Sequence, residues 1–257
     1  MHPVLVELPI PGGTRPVGAY GVCLALALLV GGALFVRRAA RAGLDVGRVC
    51  AALAVAIGGA LAGAWLLFVG VEGLRTGDVG HAIARGGLVF LGGLVGGAGA
   101  LAVVVRPLRL PLGVLADCSV PALPLGHALG RLGCLLGGCC FGAPWDGALA
   151  ITYADMRAPA AHPSVPRHAW PIYESLALLL VAGVVVTWRA ARRRSPHDGS
   201  AFALYAALYG VVRFVLEPLR GDALRGLVLG VSTSQWLGAC VALAGCVWLA
   251  RRRPLRA

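Results

Sequence analysis

The 257-residue sequence predicts an all-α, polytopic membrane protein of about seven transmembrane helices, and three observations carry that prediction. Hydrophobic residues make up 58% of the chain and charged ones 13%, with a mean hydropathy of +0.81, well outside the range of a soluble globular domain. Apolar stretches near the ~20 residues needed to cross hydrocarbon recur at 18–36, 49–71, 86–105, 112–136, 170–188, 201–218 and 227–250. All 23 basic residues are arginines, and they flank these stretches rather than form one aromatic-interleaved patch. The +12 net charge therefore does not indicate a nucleic-acid partner.

The first stretch follows Glu7 and several prolines with no basic run ahead of it, so it is expected to remain as a span rather than act as a cleaved signal peptide. The third, "GGLVFLGGLVGGAG", has the small-residue spacing that lets membrane helices pack backbone to backbone. The fourth is set apart by Asp117, Pro121 and Pro124. A Pro-, Gly- and His-containing loop at about 137–169 precedes the fifth, and no repeat or long linker divides the chain, so 1–257 reads as one integral-membrane domain. Loops after the first, third, fifth and seventh spans carry Arg37, Arg38, Arg41 and Arg48, then Arg106 and Arg109, then Arg189, Arg192, Arg193 and Arg194, then Arg251, Arg252, Arg253 and Arg256. The other side carries fewer: Arg15, Arg75, Arg85, Arg157, Arg167, Arg220 and Arg225. Basic residues in short loops stay cytoplasmic, so the N-terminus and the 137–169 loop are expected to be periplasmic and the C-terminus cytoplasmic.

Arg131 and Arg213 remain, both inside apolar stretches. With this orientation they fall toward the outer ends of spans four and six, at the same depth as Tyr20, Tyr173, Glu174, Glu217 and the run Ser232, Thr233, Ser234, Gln235. A charged side chain at mid-membrane costs roughly 2.5–3.5 kcal/mol unless it pairs or faces a wet cavity. On span six, Tyr209, Arg213, Glu217 and Arg220 share one helical face; on span four, His127, Arg131 and Cys134 do the same. The bland alternative is arginines that snorkel or pair with Glu217 and Glu174 to fix helix register. Two guanidinium forks in an apolar cavity instead suit a phosphate, and in the outer leaflet the abundant carriers of phosphate are phospholipids.

The sequence resembles the prolipoprotein diacylglyceryl transferases of the bacterial inner membrane. The resemblance rests on "YGVCLALALLVGGALFVRRAARAGLD", "GGLVFLGGLVGG", "GHALGRLGCLLGGCCFG", "RHAWPIYES", "LYGVVRFVLEPLRGD" and "GVSTSQW", in that order along nearly the whole chain. It implies transfer of the diacylglyceryl group of phosphatidylglycerol to the lipobox cysteine thiol of a prolipoprotein. A thioether forms and glycerol 1-phosphate leaves, in the first step of lipoprotein maturation. It implies membrane lipids and the precursor's signal peptide as partners and no cofactor. By position, Arg131 and Arg213 would hold the phosphate and Glu217 would orient Arg213. Tyr20 and Tyr209 would line the headgroup site, and Gly142 would close the signature segment. Glu174 would orient an arginine or polarise a substrate group, with Cys134, Tyr173, Arg220 and Gln235 also lining the substrate site. Asn often stands at position 134 in the family, which argues against Cys134 as a nucleophile.

Some positions depart from the family pattern. Leu91 stands where His or Tyr is common, Trp65 where an arginine is common, and Ala169, Trp170 and Pro171 replace the usual residues before Tyr173 and Glu174. His127 and His168 are the available substitutes for a missing base. Of eight cysteines only Cys134, Cys139 and Cys140 cluster, and they lack zinc-site spacing and matching histidines. They read as small apolar filler, with no metal expected. Two other readings remain at this level: a phospholipid-headgroup transporter or flippase using the same arginines, and a paralogue of the transferase with altered or lost activity.

Overall fold

The computed structural model describes residues 3–10, 13–153, 165–192, 197–221 and 226–251. In chain order the elements are β1 (Val4–Ile10), β2 (Gly13–Gly18), α1 (Ala19–Arg41), α2 (Val46–Thr76), α3 (Val79–Arg85), α4 (Phe90–Val105), α5 (Leu112–Ser119) and α6 (Ala122–Gly137). Then follow α7 (Trp170–Ala191), α8 (Ser200–Leu216), a 3-10 turn (Glu217–Leu219), β3 (Leu227–Val228), β4 (Val231–Ser232) and α9 (Thr233–Arg251). The chain forms two compact units, one of Met1–Phe35 with Ala116–Ala257 and one of Val36–Leu115. Arg157, Arg193, Arg194, Arg225, Arg252, Arg253 and Arg256, which bear on the expected orientation, lie outside the described residues, as does the 154–164 part of the expected periplasmic loop.

Helices α1, α2, α7, α9, and α8 with its 3-10 turn, are each long and apolar enough to cross a membrane. The number rises to seven when α3 with α4, bent by 86°, and α5 with α6, bent by 44°, each count as one span. The protein is thus a mostly helical, multi-pass membrane protein. The fourth apolar stretch is broken after Ser119 because Pro121 has no N–H to continue the ladder, and helix resumes at Ala122. Two short antiparallel hairpins accompany the helices. In the first, Val6 pairs with Val17 and Leu8 with Arg15. In the second, Leu229 (φ 54) and Gly230 (φ 75) both take the left-handed backbone of a type I′ turn. That hairpin uses residues 227–232, so the last helix starts at Thr233 rather than at 227.

In the Val36–Leu115 unit, α2 lies directly on α4 through glycines spaced four apart, Gly59 and Gly63 against Gly92 and Gly96. A Cβ on Gly63 would sit 3.0 Å from the Gly96 Cα and closer still to the Gly92 carbonyl. A Gly96→Val substitution is therefore expected to separate these helices and lower stability by about 1–3 kcal/mol, seen as earlier thermal unfolding in detergent. In the other unit, Val120, Ala128, Leu178, Val181, Val185, Ala201 and Tyr205 form a core shared by α6, α7 and α8.

Asp117, the acidic residue of the fourth stretch, has a structural task. Its carboxylate, 1% exposed, accepts from the backbone N–H of Gly199 (3.2 Å) and Phe202 (3.1 Å), so it caps the start of α8 from a different element. His197 Nδ1 lies 3.8 Å from the same carboxylate. Asp117→Ala should strip these partners and cost about 1–3 kcal/mol, again read as a fall in unfolding temperature, with an Asp117→Asn variant retaining part of the stability.

Candidate functional site

The site is built where the first turn of α7 meets the ends of α6 and α8. Pro171 occupies the first turn of α7, where its missing N–H leaves no helical bond unmade. Trp170 opens the helix with its indole fully buried, and Nε1 donates to the Leu216 carbonyl (2.9 Å), fastening the start of α7 to the end of α8. Three guanidinium carbons surround the ring: Arg131 and Arg213 each 5.1 Å from its centroid and Arg220 4.2 Å. Cation–π attraction of this kind is worth roughly 0.5–2 kcal/mol per cation, more as water is excluded.

Two carboxylates hold the arginines in place. Glu174, one turn along α7 from Trp170 and 0% exposed, receives Arg131 Nε at 2.5 Å, the Tyr209 hydroxyl at 2.9 Å and Arg213 Nη1 at 3.8 Å. Glu217 receives Arg213 Nη2 at 3.0 Å and the Ser232 hydroxyl at 3.0 Å. Arg213 Nη2 also donates to Ser234 Oγ (3.1 Å). Arg131, Arg213 and Arg220 thus converge on one ring, with Glu174 and Glu217 holding Arg131 and Arg213. His127 stands beside this network, its Nε2 4.0 Å from Glu174 Oε1 and its ring edge-on to Tyr209 at 5.4 Å.

The structure brings together Arg131, Arg213, Glu174, Glu217, Tyr209, His127 and Arg220. Arg220 does not reach the cluster along a continuous helical face: Pro218 replaces the helix by a 3-10 turn after Leu216, and Arg220 itself is extended (φ −81, ψ 142). It meets Trp170 all the same. Cys134 lies at the edge of the cluster, its Sγ 3.9 Å from Arg131 Nη1. Gln235 closes a capping box with Ser232 at the start of α9: the Ser232 N–H donates to Gln235 Oε1 (3.2 Å) and the Gln235 N–H to Ser232 Oγ (3.1 Å). Its Nε2 donates to the Phe214 carbonyl (3.4 Å), so these bonds tie the start of α9 to α8.

Tyr20, on α1, packs its backbone over Gly133 and its Cβ over Gly137 of α6. Tyr173 stands edge-on to His168 (6.1 Å), and His168 stacks on Trp145 at 4.4 Å, so this second histidine belongs to the loop layer. That layer is an irregular set of backbone pairings: Ala143 N to Leu219 O, Gly221 N to Phe141 O, His168 N to Ala143 O and Trp145 N to Pro166 O. Burial pushes the Tyr153 hydroxyl well above the ordinary tyrosine range, so it stays neutral within this layer. Gly142 is the crossing point, where an added Cβ would run into the backbone carbonyl of His168. Gly142→Ala is expected to displace the 167–168 and 219–221 segments together and to move Arg220 off Trp170, measured as a fall in unfolding temperature in detergent.

In the sequence Trp170 is only a departure from a motif; in the structure it is the platform on which three cations meet. The available signal was a tryptophan one turn before Glu174, at the start of the span that lies in sequence between the two arginine-bearing ones. Leu91 (47% exposed) and Trp65 (39%) belong to α4 and α2 of the other unit.

Residues 4–251 match the family described as prolipoprotein diacylglyceryl transferase. The chain is 30% identical over 247 residues to a phosphatidylglycerol–prolipoprotein diacylglyceryl transferase of Clostridium tetani, covering 95% of each chain. It is 29% identical over 231 residues to phosphatidylglycerol–prolipoprotein diacylglyceryl transferase 2 of Clostridium perfringens, covering 88% of each. A relative of the same name from Synechococcus elongatus is 31% identical over 260 residues, covering 96% of this chain and 87% of the relative.

Proposed function

The chain belongs to the prolipoprotein diacylglyceryl transferase family, and from that premise we propose that the cluster on Trp170 is where a phosphatidylglycerol phosphate is held during transfer to a prolipoprotein. The enzyme carries out the first step of lipoprotein maturation, in which phosphatidylglycerol donates a diacylglyceryl group to the precursor. The acceptor is the lipobox cysteine at the end of the precursor's signal peptide. Its sulfur displaces the phosphate ester oxygen at a glycerol carbon: a C–S bond forms, the C–O bond breaks, and glycerol 1-phosphate leaves. The chain works in the bacterial inner membrane with this site toward the periplasm, N-terminus outside and C-terminus inside. The whole chain acts as one transferase.

The single observation that carries the site assignment is the convergence of Arg131 and Arg213, from separate helices, on the buried Trp170 ring, because paired guanidinium forks in an apolar setting suit a phosphodiester. As the C–O bond breaks, the phosphate moves toward a second negative charge, and cations already fixed in a water-poor site stabilise it without reorganising. Arg131 and Arg213 are the principal contacts. Glu174 and Glu217 hold them by their Nε and Nη atoms, and Arg220 adds charge from the loop side. Tyr209, bonded to Glu174, keeps its ring against the headgroup. His127 takes the thiol proton, since it is the imidazole beside the arginines; the thiolate is the attacking form, and a thiol of ordinary pKa near 8.5 is mostly protonated at neutral pH.

Expression in cells depleted of their own transferase tests this. The precursor should gain the mass of a diacylglyceryl group. Correct insertion without that mass gain would remove the reading, and phospholipid movement across proteoliposomes without precursor modification would favour a transporter.

A further inference from the structure

Cys134, Cys139 and Cys140 take no part in the chemistry above, and the fold draws them together. Gly138 ends α6 in the left-handed conformation (φ 69), and the Cys139 N–H donates back to the Cys134 carbonyl (3.0 Å), so the chain folds over its own last turn. Cys140 then takes a left-handed backbone, φ 55, that a residue with a side chain rarely adopts. The three Sγ atoms lie within 4.8 Å of one another. Sulfurs bound at ~2.3 Å around one trigonal ion stand about 4 Å apart, so little movement is needed to enclose one.

We propose that these three cysteines form a thiolate site for a soft monovalent cation of the Cu(I) type. The donor set selects the ion. It contains sulfur and neither imidazole nor carboxylate, which suits a soft d10 cation, and three ligands satisfy Cu(I), whereas structural zinc takes four. On binding, three thiols release three protons and the complex carries two negative charges, with no change of oxidation state. Arg131 Nη1 is in place to balance that charge, 3.6 Å from Cys140 Sγ and 3.9 Å from Cys134 Sγ.

The same arginine is assigned to the lipid phosphate, so a loaded site competes with the donor for Arg131 and slows transfer. This consequence rests on the function proposed above; the binding does not.

The test titrates reduced, full-length protein in detergent with Cu(I) under anaerobic conditions, against a chromophoric Cu(I) chelator. The parent should hold a single tight equivalent and develop near-ultraviolet sulfur-to-copper absorption. Cys139→Ser should lose both while keeping its basal transfer rate, and a variant with serine at Cys50, Cys240 and Cys246 should keep both. Equal binding by parent and Cys139→Ser, or loss of binding only in the triple variant, overturns the site. So does the loss of two hydrogens on exposure to Cu(II) or air with no copper retained, which marks a disulfide. Cys139→Ala, compared with the parent by thermal unfolding, separates a lost ligand from a lost fold. A parent that binds the equivalent and transfers at an unchanged rate establishes the site and overturns its link to Arg131.

Discussion

An Arg213→Ala variant is expected to modify a precursor peptide about 100- to 1,000-fold more slowly than the parent, the typical loss for one fixed donor aimed at developing anionic charge. Arg213 meets Glu174, Glu217, Ser234 and the Trp170 ring at once, so its removal takes away the proposed phosphate contact and frees the partners that placed it. Removing one partner of a buried pair also costs stability, of order 3–5 kcal/mol in a fully enclosed site and less here, where the Arg213 side chain is 13% exposed. Arg213→Lys separates the two effects. It keeps the charge, loses the planar fork and the ring contact, and should unfold near the parent temperature while remaining at least ~10-fold slower. A lysine variant as fast as the parent would show that charge alone suffices. An alanine variant as fast as the parent would remove Arg213 from the chemistry.

Trp170→Ala should have the largest combined effect. The side chain is fully buried, and truncating a buried tryptophan costs about 3–5 kcal/mol. The Nε1 bond to Leu216 disappears as well, and with it the link between the start of α7 and the end of α8. Three guanidiniums lose their common surface, so the remaining folded protein should transfer slowly. Trp170→Phe keeps a ring but loses the indole N–H and part of the buried aromatic volume, for about 1–3 kcal/mol from the carbonyl left without its donor and a further packing loss smaller than that of the alanine variant. The prediction is an ordered series in initial rate: parent, then Phe, then Ala far below. Equal rates for Phe and Ala variants, at equal folded fractions, would mean that Trp170 only fills space.

Much of this arrangement was legible because lipid makes charge expensive. Arg131 and Arg213 had to be explained, and the one-turn spacing of Arg213 to Glu217 predicted a pair that the structure contains at 3.0 Å. Glu174 was legible as a partner for an arginine, though not which: it holds Arg131 through Nε and reaches Arg213 as well. Trp170 was not legible, since an aromatic residue at a membrane interface is ordinary and three cations on one ring is a tertiary fact. Arg220 was read on a helical face that Pro218 interrupts, and the contact survived because the extended chain after the 3-10 turn points back to α7. The second hairpin went unread because residues 227–232 are as apolar as the helix they precede. Composition alone does not separate a strand from the first turns of a span. The glycine positions behaved differently. The four-residue spacing in the third span marked close packing before any coordinates, and the partner glycines on α2 are what the spacing could not name.

The most direct measurement is the binding preference of the protein in nanodiscs for phosphatidylglycerol over diacylglycerol, which differ by the phosphate-bearing headgroup. The parent should prefer phosphatidylglycerol, and a protein carrying both Arg131→Gln and Arg213→Gln should bind the two lipids alike while keeping its helical content. A double variant that retains the parent's preference would contradict the claim that guanidiniums gathered on Trp170 hold the lipid phosphate.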